Sequence, residues 1–127
     1  ITFVPQPGTV LMCDFEAIGF QEPMMTKKRP VVVLQRRLRT HNPQTILVVP
    51  LSTTPPNPVR VWHHQIPAAR YLFLSASDSI YVKGDMVYAV PVSCLDRLRT
   101  NRGWEAPVLP REEFAAVQTA VREALAL

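Results

Sequence analysis

One pair of polar residues and one arginine in this chain have types and positions suited to chemistry on a charged substrate. Lys83 and Asp85 are separated by one residue, so on a strand their side chains share a face. A cation beside a carboxylate can divide acid and base work, although most exposed pairs of this kind are structural. Arg29 precedes Pro30, which favours an extended backbone at the start of the following strand. An arginine held there is well placed to act, although a basic residue before a strand is usually solvated.

Hydroxyl groups and further cations accompany these residues. Ser52, Thr53 and Thr54 stand before a proline-rich turn, where such hydroxyls most often cap the turn's own backbone. Lys27 and Lys28 adjoin Arg29 in a basic cluster, and residues 36–44 form a polar, basic connection that begins with Arg36 and Arg37.

The histidines do not predict a metal site. His63 and His64 are adjacent, so on a strand they point to opposite faces and cannot easily share one ion. The sequence contains no Cys-x-x-Cys or His-x-x-x-His spacing, no P-loop, no GxGxxG and no GxSxG. We therefore expect neither a metal nor a cofactor.

The composition is that of an ordinary globular chain. With 127 residues, of which 47% are hydrophobic and 19% charged, we expect a single domain over 1–127 with a core that needs no disulfide. The formal charge of +4 makes a polyanionic partner plausible. Cys13 lies in an apolar stretch that predicts a buried thiol, which fits a reduced cytoplasm. The sequence contains no run of 18 apolar residues and no signal-peptide pattern, so it does not predict a membrane or secretory protein.

The elements that must position these residues are mainly strands. Hydrophobic patterning predicts strands at 9–15, 30–34, 45–51, 59–66 and 80–91, with a bulge at Gly84 and a bulge or unpaired amide at Pro50. Residues 16–28 are predicted to be a long loop, 68–77 are ambiguous, and 94–99 suit a helical turn.

One amphipathic helix is predicted at the C-terminal end. Pro110 suits a first helical position, and Glu112 and Glu113 favour its positive N-terminal end. Helical spacing places five apolar residues on one face: Phe114, Val117, Val121, Ala124 and Leu125. We therefore predict a small curled sheet or barrel capped by this helix.

Four sequence blocks, in this order, resemble the PemK/MazF toxin family over nearly the whole chain. They are Pro7-Gly8-Thr9-Val10 leading to Cys13-Asp14-Phe15, Lys27-Lys28-Arg29-Pro30-Val31-Val32-Val33, Val49-Pro50-Leu51-Ser52-Thr53, and Val82-Lys83-Gly84-Asp85-Met86-Val87-Tyr88. The resemblance implies a small SH3-like β-barrel with a C-terminal helix.

The resemblance also implies roles for individual residues. Arg29 would lie at the scissile phosphate of an RNA, assisted by Ser52 or Thr53, where relatives often read Thr-Ser. Lys83 and Asp85 would act as acid and base, although arginine is common at the first position. Glu22 lies seven residues before Arg29, whereas the family's loop glutamate often lies five before. RNA binding would involve a further set of residues: Lys27, Lys28, Arg36, Arg37 and Thr54.

The implied function is that of the toxin in a type II toxin–antitoxin system. Such a toxin cuts single-stranded RNA without metal through the RNA's own 2′-OH, which leaves 2′,3′-cyclic phosphate and 5′-hydroxyl ends. The implied partners are a second copy of the chain and an antitoxin with an acidic, partly disordered tail, in a complex that binds DNA. One alternative is a gyrase poison of the CcdB type, which uses a tryptophan near the chain's end, whereas this chain has Trp62 and Trp104. The other is an inactive barrel that binds RNA or a protein partner.

Overall fold

The structure is a computed structural model that describes residues 1–35, 45–67, 70–71, 73 and 80–127. Residues 36–44 and most of 68–77 therefore lie outside the described residues. The predictions made for these two segments are not tested by the structure. The strands are β1 (Val10–Asp14), β2 (Lys28–Val33), β3 (Thr45–Ser52), β4 (His63–Ile66), β5 (Ile80–Lys83), β6 (Tyr88–Pro91), β7 (Leu95–Asp96), β8 (Leu98–Thr100) and β9 (Gly103–Glu105). The helices are α1 (Phe15–Ile18), α2 (Arg111–Leu125) and a short 3-10 helix, Val92–Cys94.

Strands β1 to β7 form one antiparallel sheet in the order β4-β5-β3-β2-β1-β7. Strand β3 lies at its centre, with β2 along one edge and β6 followed by β5 along the other. Strands β8 and β9 form a separate hairpin. In the described part of the chain no pairing joins β4 to β7, so the sheet is open between these strands. The mainly β fold with a C-terminal helix is as predicted.

Each face of the sheet carries its own buried cluster. Val32 and Val49 belong to one cluster, together with Val117 of α2, and this face is called the helix face below. Val31 and Val33 point the other way, into a cluster with Phe15 and Tyr88 that defines the opposite face. Burial of the three valines that end β2 explains why this segment reads as an unbroken apolar run.

The predicted C-terminal helix is present as α2, but it begins at Arg111 with Pro110 as its N-cap, one position later than predicted, and it buries Glu113, Val117 and Ala120. Leu125, which the periodicity placed on the apolar face, is instead 56% exposed near the helix end. The helix approaches Gly84 closely: a Cβ there would lie 2.6 Å from the carbonyl oxygen of Trp62 and 2.7 Å from that of Ala120. Gly84 is thus required for backbone packing. Neither α1 nor α2, the α-helices of the described ranges, is long and apolar enough to cross a membrane.

The predicted loop at 16–28 was partly wrong. The turn at its start is α1, because the Asp14 carboxylate accepts a hydrogen bond from the Ala17 N–H and Gly19 ends the helix with a φ of 84°. Strand β2 begins at Lys28, so Arg29 lies inside the strand and pairs with Cys13.

The single strand predicted at 80–91 is also wrong, because it is two strands. Both β5 and β6 pair with β3, but Val82 faces Leu51 whereas Tyr88 faces Val48, so the registers differ. Residues 84–87 form the turn that absorbs this difference, in place of a simple bulge at Gly84.

Three shorter predictions also need correction. Strand β4 covers only the last four residues of the predicted segment 59–66. Pro50 keeps its place in the ladder opposite Val31. The segment 94–99 is the end of the 3-10 helix followed by β7 and β8, and sequence patterning missed the β8–β9 hairpin.

Candidate functional site

Arg29 is half-buried in β2, and strand alternation places it on the face that carries Val31 and Val33. Its side chain lines a cavity of about 300 Å³ formed with the β1–β2 connection. Glu22 and Lys27 line the same cavity, so the chain folds this glutamate back to the arginine despite the longer loop. The cavity therefore contains both signs of charge beside Arg29.

Ser52 ends β3 and lies on the same face as Arg29. The β2–β3 ladder ends at the pair Val31 and Pro50, so Arg29 lies two residues outside it in β2 and Ser52 two residues outside it in β3. On its other side Ser52 pairs with Tyr81 of β5, and Lys83 follows on that face two residues later. Arg29, Ser52 and Lys83 thus lie on three neighbouring strands near Pro50, where the ladders of β2 and β5 with β3 meet.

The Ser52 hydroxyl already has a local partner. Ser52 is 6% exposed, and its Oγ accepts a hydrogen bond of 3.1 Å from the backbone N–H of Thr54. It therefore caps the turn, as hydroxyls in such turns usually do, and within the described ranges its own proton meets no acceptor. Thr53 and Thr54 are exposed.

Lys83 and Asp85 do not share a strand face, which corrects the expectation from their spacing. Lys83 is the last residue of β5, and its carbonyl accepts a hydrogen bond from Met86 N–H that closes the turn. Asp85 lies in that turn with its side chain 48% exposed. Its partner is His63 of β4, whose Nε2 lies 3.8 Å from Asp85 Oδ1.

His63 is held in one orientation. Its ring is 8% exposed, and Nδ1 accepts a hydrogen bond of 2.9 Å from the Arg60 N–H. In the neutral ring the proton is then on Nε2, facing Asp85. Because His63 also pairs with Lys83 across β4 and β5, the three residues form one cluster. Sequence reasoning considered His63 only as a metal ligand, and no local signal could have revealed a cluster that strand pairing creates.

One segment of the β1–β2 connection separates Arg29 from this cluster. Asp85 lines a second cavity, of about 410 Å³, and Pro23 and Met24 line both this cavity and that of Arg29. The segment is anchored because Met25 N–H donates a 3.2 Å hydrogen bond to the Tyr88 hydroxyl. Within the described ranges no hydrogen bond or ion pair joins Arg29 to Ser52, Thr53, Lys83 or Asp85.

The remaining basic residues predicted to bind RNA are divided between locations. Lys27 is exposed and lines the Arg29 cavity. Lys28 is also exposed but lines a different cavity, towards β7. Arg36 and Arg37 lie outside the described residues.

His64 points to the helix face, opposite to His63, as strand geometry predicts. Its Nε2 contacts the carboxylate of Glu113, which also accepts a 2.8 Å hydrogen bond from the Tyr71 hydroxyl. Glu113 is 8% exposed, so this network ties α2 to β4 inside the protein. Within the described residues no three His, Cys, Asp or Glu side chains are grouped so that they could hold a metal ion.

Solved structures of similar fold are toxins and endoribonucleases. MazF from Deinococcus radiodurans superposes with a TM-score of 0.71 at 16% identity, with 98% of this chain and 99% of that chain covered. The Mycobacterium tuberculosis toxin MazF-mt6 gives a TM-score of 0.62 at 21% identity, over 96% and 98% of the two chains. An endoribonuclease in complex with its cognate antitoxin, from a mycobacterial species, gives 0.64 at 18% identity, over 97% and 96%. These likenesses show a shared fold.

Sequence comparison identifies the family. YifN, an uncharacterised protein of Escherichia coli (strain K12), is 32% identical over an alignment of 139 residues that covers 95% of this chain and 91% of YifN. The sequence model of the PemK-like, MazF-like toxins of type II toxin–antitoxin systems matches residues 6–125. This chain therefore belongs to the PemK-like, MazF-like toxin family of type II toxin–antitoxin systems.

Proposed function

We propose that this protein is an endoribonuclease that cuts single-stranded RNA in the cytoplasm by sequence-selective attack of the RNA's own 2′-OH. The observation that carries the proposal is that Arg29, Ser52 and Lys83 lie on the neighbouring strands β2, β3 and β5 near Pro50. Asp85 lines the adjoining cavity, which shares Pro23 and Met24 with the cavity of Arg29. An arginine, a hydroxyl, a lysine and a carboxylate can supply the charge stabilisation, the hydrogen bond, the acid and the base of this reaction. The endoribonuclease among the structures of similar fold supports the same activity.

The reaction requires only correctly placed protein groups. The 2′-oxygen attacks the adjacent phosphorus, the bond from phosphorus to the 5′-oxygen breaks, and a 2′,3′-cyclic phosphate and a 5′-hydroxyl remain. In our proposal Asp85 takes the 2′-OH proton, and Lys83 delivers a proton to the leaving 5′-oxygen. Such acid–base assistance typically contributes a factor of about 10² to 10⁴.

Arg29 would supply the electrostatic part of the catalysis. Negative charge increases on the non-bridging phosphate oxygens as the pentacoordinate phosphorus forms, and a fixed guanidinium stabilises that charge. Ser52, or the exposed Thr53, would donate a hydrogen bond to the same phosphate. Since the nucleophile belongs to the substrate, we propose that the reaction needs no metal ion.

We further propose a homodimer that is inhibited by an antitoxin with an acidic, partly disordered tail, in a complex that binds DNA. The formal charge of +4 and the exposed Lys27 and Lys28 suit an anionic peptide that competes with RNA. Complex formation with a cognate antitoxin by an endoribonuclease of similar fold supports this arrangement.

The decisive experiment incubates the purified protein with a long single-stranded RNA in EDTA. We expect cleavage, and direct transfer of labelled phosphate onto the new 5′ ends without phosphatase treatment, because those ends carry hydroxyls. A matched RNA with 2′-deoxy nucleotides at the mapped sites should resist cleavage, and Arg29→Ala protein is the control for a contaminating nuclease.

Two results would contradict the proposal. Cleavage that vanishes in EDTA and returns with Mg²⁺ or Zn²⁺ would refute the metal-free mechanism. An absence of RNA cleavage under all conditions, with inhibition of gyrase supercoiling in a parallel assay, would identify a gyrase poison on this fold. Sequencing the cleaved ends from a pool of transcripts would then define the sequence selectivity of an active enzyme.

A further inference from the structure

A cavity of about 500 Å³ lies on the other side of the β1–β2 ribbon from the Arg29 site. It is bounded by the ends of β1 and β2, by β7 and by the β8–β9 hairpin. The residues on which its chemistry depends are an indole, three cations and two carboxylates: Trp104, Lys28, Arg97, Arg99, Asp14 and Asp96. None of them belongs to the site proposed for catalysis.

Trp104 presents a large aromatic surface in this cavity. Trp104, on β9, is 59% exposed, although burial of an indole side chain is favourable. Arg99 is its partner across the hairpin, and the guanidinium carbon lies 5.3 Å from the ring centroid. The guanidinium lies over one face of the indole, so a nucleic-acid base would stack on the opposite face, and the cation strengthens such an aromatic platform.

The carboxylates of the cavity accept local hydrogen bonds, whereas its cations form no ion pair within the described residues, although the Arg97 guanidinium lies over the Phe3 ring at 4.7 Å. Asp14 accepts a hydrogen bond from Ala17 N–H, and Asp96 accepts one from the N–H of Arg97. Among the ion pairs of the described residues none involves Lys28, Arg97 or Arg99. The three cations exceed the two carboxylates by one charge, so attraction for phosphate is modest and stacking carries most of the binding.

The cavity adjoins the proposed catalytic site through two consecutive residues. Lys28 and Arg29 follow one another in β2, so their side chains point to opposite faces, one into each cavity. An extended RNA strand that passes the end of the paired strands β1 and β2 can therefore contact both cavities.

We propose that this cavity is a second RNA-binding subsite, which stacks a base on Trp104 and holds the adjoining phosphate with Lys28 and Arg99. The occupant is a nucleotide of the single-stranded RNA that flanks the cleavage site, so the inference rests on the proposed function. It adds an anchoring position at a distance from the scissile phosphate.

The test uses a 2′-O-methyl oligoribonucleotide, which binds without being cut, so binding is measured apart from activity. The chain contains two tryptophans, and Trp62→Phe leaves Trp104 as the single fluorescent reporter. We expect saturable quenching of Trp104 emission as the oligonucleotide binds. In the Trp62→Phe background, Trp104→Ala should weaken oligonucleotide binding about 5- to 20-fold, measured by fluorescence anisotropy of a labelled oligonucleotide. This loss lies in the low to middle part of the range for removal of one stacked base. Trp104→Phe should recover most of the affinity.

Two controls separate stacking from general charge. Arg102→Ala removes a cation of the same hairpin that pairs with Glu105 and does not line the cavity, so affinity should change less than twofold. Trp104→Ala should leave the salt dependence of binding unchanged, because it removes no phosphate contact. Shortening the oligonucleotide at each end should abolish the effect of Trp104→Ala once the stacked base is lost.

The outcomes distinguish the subsite from the catalytic proposal. Oligonucleotide binding with no change in Trp104 emission, and equal affinity for Trp104→Ala, would overturn the subsite while leaving RNA cleavage intact. Quenching by an acidic peptide but not by the oligonucleotide would also overturn it and assign the cavity to a protein partner. A protein that quenches with the oligonucleotide but cuts no RNA would retain the subsite and refute the nuclease. If wild-type protein neither binds nor cuts RNA, both proposals fail.

Discussion

His63 directs its Nε2 towards Oδ1 of Asp85 at 3.8 Å, and a backbone hydrogen bond from Arg60 to Nδ1 fixes the ring in that orientation. The imidazole is thus buried on the protein side of the Asp85 carboxylate, which is exposed in the turn that follows β5. A buried ring that orients an exposed carboxylate is a positioning group, since its own contact is with the side chain and not with the proposed substrate.

His63→Gln should therefore slow cleavage without abolishing it. We expect a fall of about tenfold in the single-turnover rate, less than the loss of a group that transfers the proton itself. The pH dependence of the cleavage rate should also change, because the Asp85 carboxylate would no longer face an imidazole. His64→Gln is the matched control, because this neighbour contacts Glu113 on the opposite face and should affect stability but not rate. An unaltered rate and profile for His63→Gln would show that His63 is only structural.

Arg29→Ala should reduce cleavage by about two to three powers of ten, the usual loss for one group that stabilises transition-state charge. Arg29→Lys should recover only part, since lysine keeps the charge but not the planar pair of donors. RNA affinity should fall much less than the rate, because Lys27 and other cations still attract the backbone. Single-turnover rates, with binding and melting curves on the same samples, test this. A small loss of affinity with an unchanged rate would make Arg29 an ordinary surface cation.

Substitution of the two hydroxyl residues should separate a structural role from a catalytic one. Ser52→Ala removes the acceptor for Thr54 N–H, so it should lower the free energy of unfolding by about 1 kcal/mol and slow cleavage mildly. Thr53→Ala, at an exposed position, should leave stability within about 0.5 kcal/mol of wild type. Urea denaturation and cleavage rates on both variants decide which hydroxyl contributes. A rate loss in Thr53→Ala alone would assign the phosphate contact to Thr53.

Glu113→Gln should destabilise the protein through the network that joins α2 to β4. The nearly buried Glu113 carboxylate accepts a hydrogen bond from the Tyr71 hydroxyl and contacts His64. Glu113→Gln replaces one carboxylate oxygen by an NH2 group, which leaves a buried polar group of this network poorly paired. We expect a loss of about 1 to 3 kcal/mol in the free energy of unfolding. Glu112→Gln is the control, since it is exposed in the same first helical turn and should change stability by less than about 0.5 kcal/mol. Equal urea midpoints for the two variants would exclude a stabilising role for the network.

The two cysteines should differ in reactivity in the native protein. Burial, with smaller contributions from Cys94 and Asp14, raises the pKa of the Cys13 thiol to about 12. The raised pKa means that folding favours the neutral thiol, so this contribution to stability is complete below about pH 9 and is lost as pH rises towards 12. At about pH 8, iodoacetamide should label Cys94 and spare Cys13, whereas both should react in denaturant. Peptide mass spectrometry measures this, and equal native labelling would disprove the protection.

Much of the fold could be predicted because its signals are local. The apolar run in β2 follows from burial on both faces, and the start of α2 follows from Pro110 and the acidic first turn. The short strands β7, β8 and β9 could not be predicted, since two- and three-residue strands carry almost no periodicity. The split between β5 and β6 was missed because it depends on two different registers with β3, which is a relationship between distant segments.

For the site, the sequence by itself determined which chemical groups are available: Arg29, the hydroxyls that follow β3, Lys83 and Asp85. Their relative placement was decided only by the tertiary structure. Spacing alone put Lys83 and Asp85 on one strand face, yet a turn carries Asp85 to His63, which lies 22 residues earlier in the chain. Strand pairing creates such neighbours by hydrogen bonds between backbones, which are the same for every residue type except proline. The residue types therefore determine which chemical groups each position offers, while the register of the strands determines which positions become neighbours.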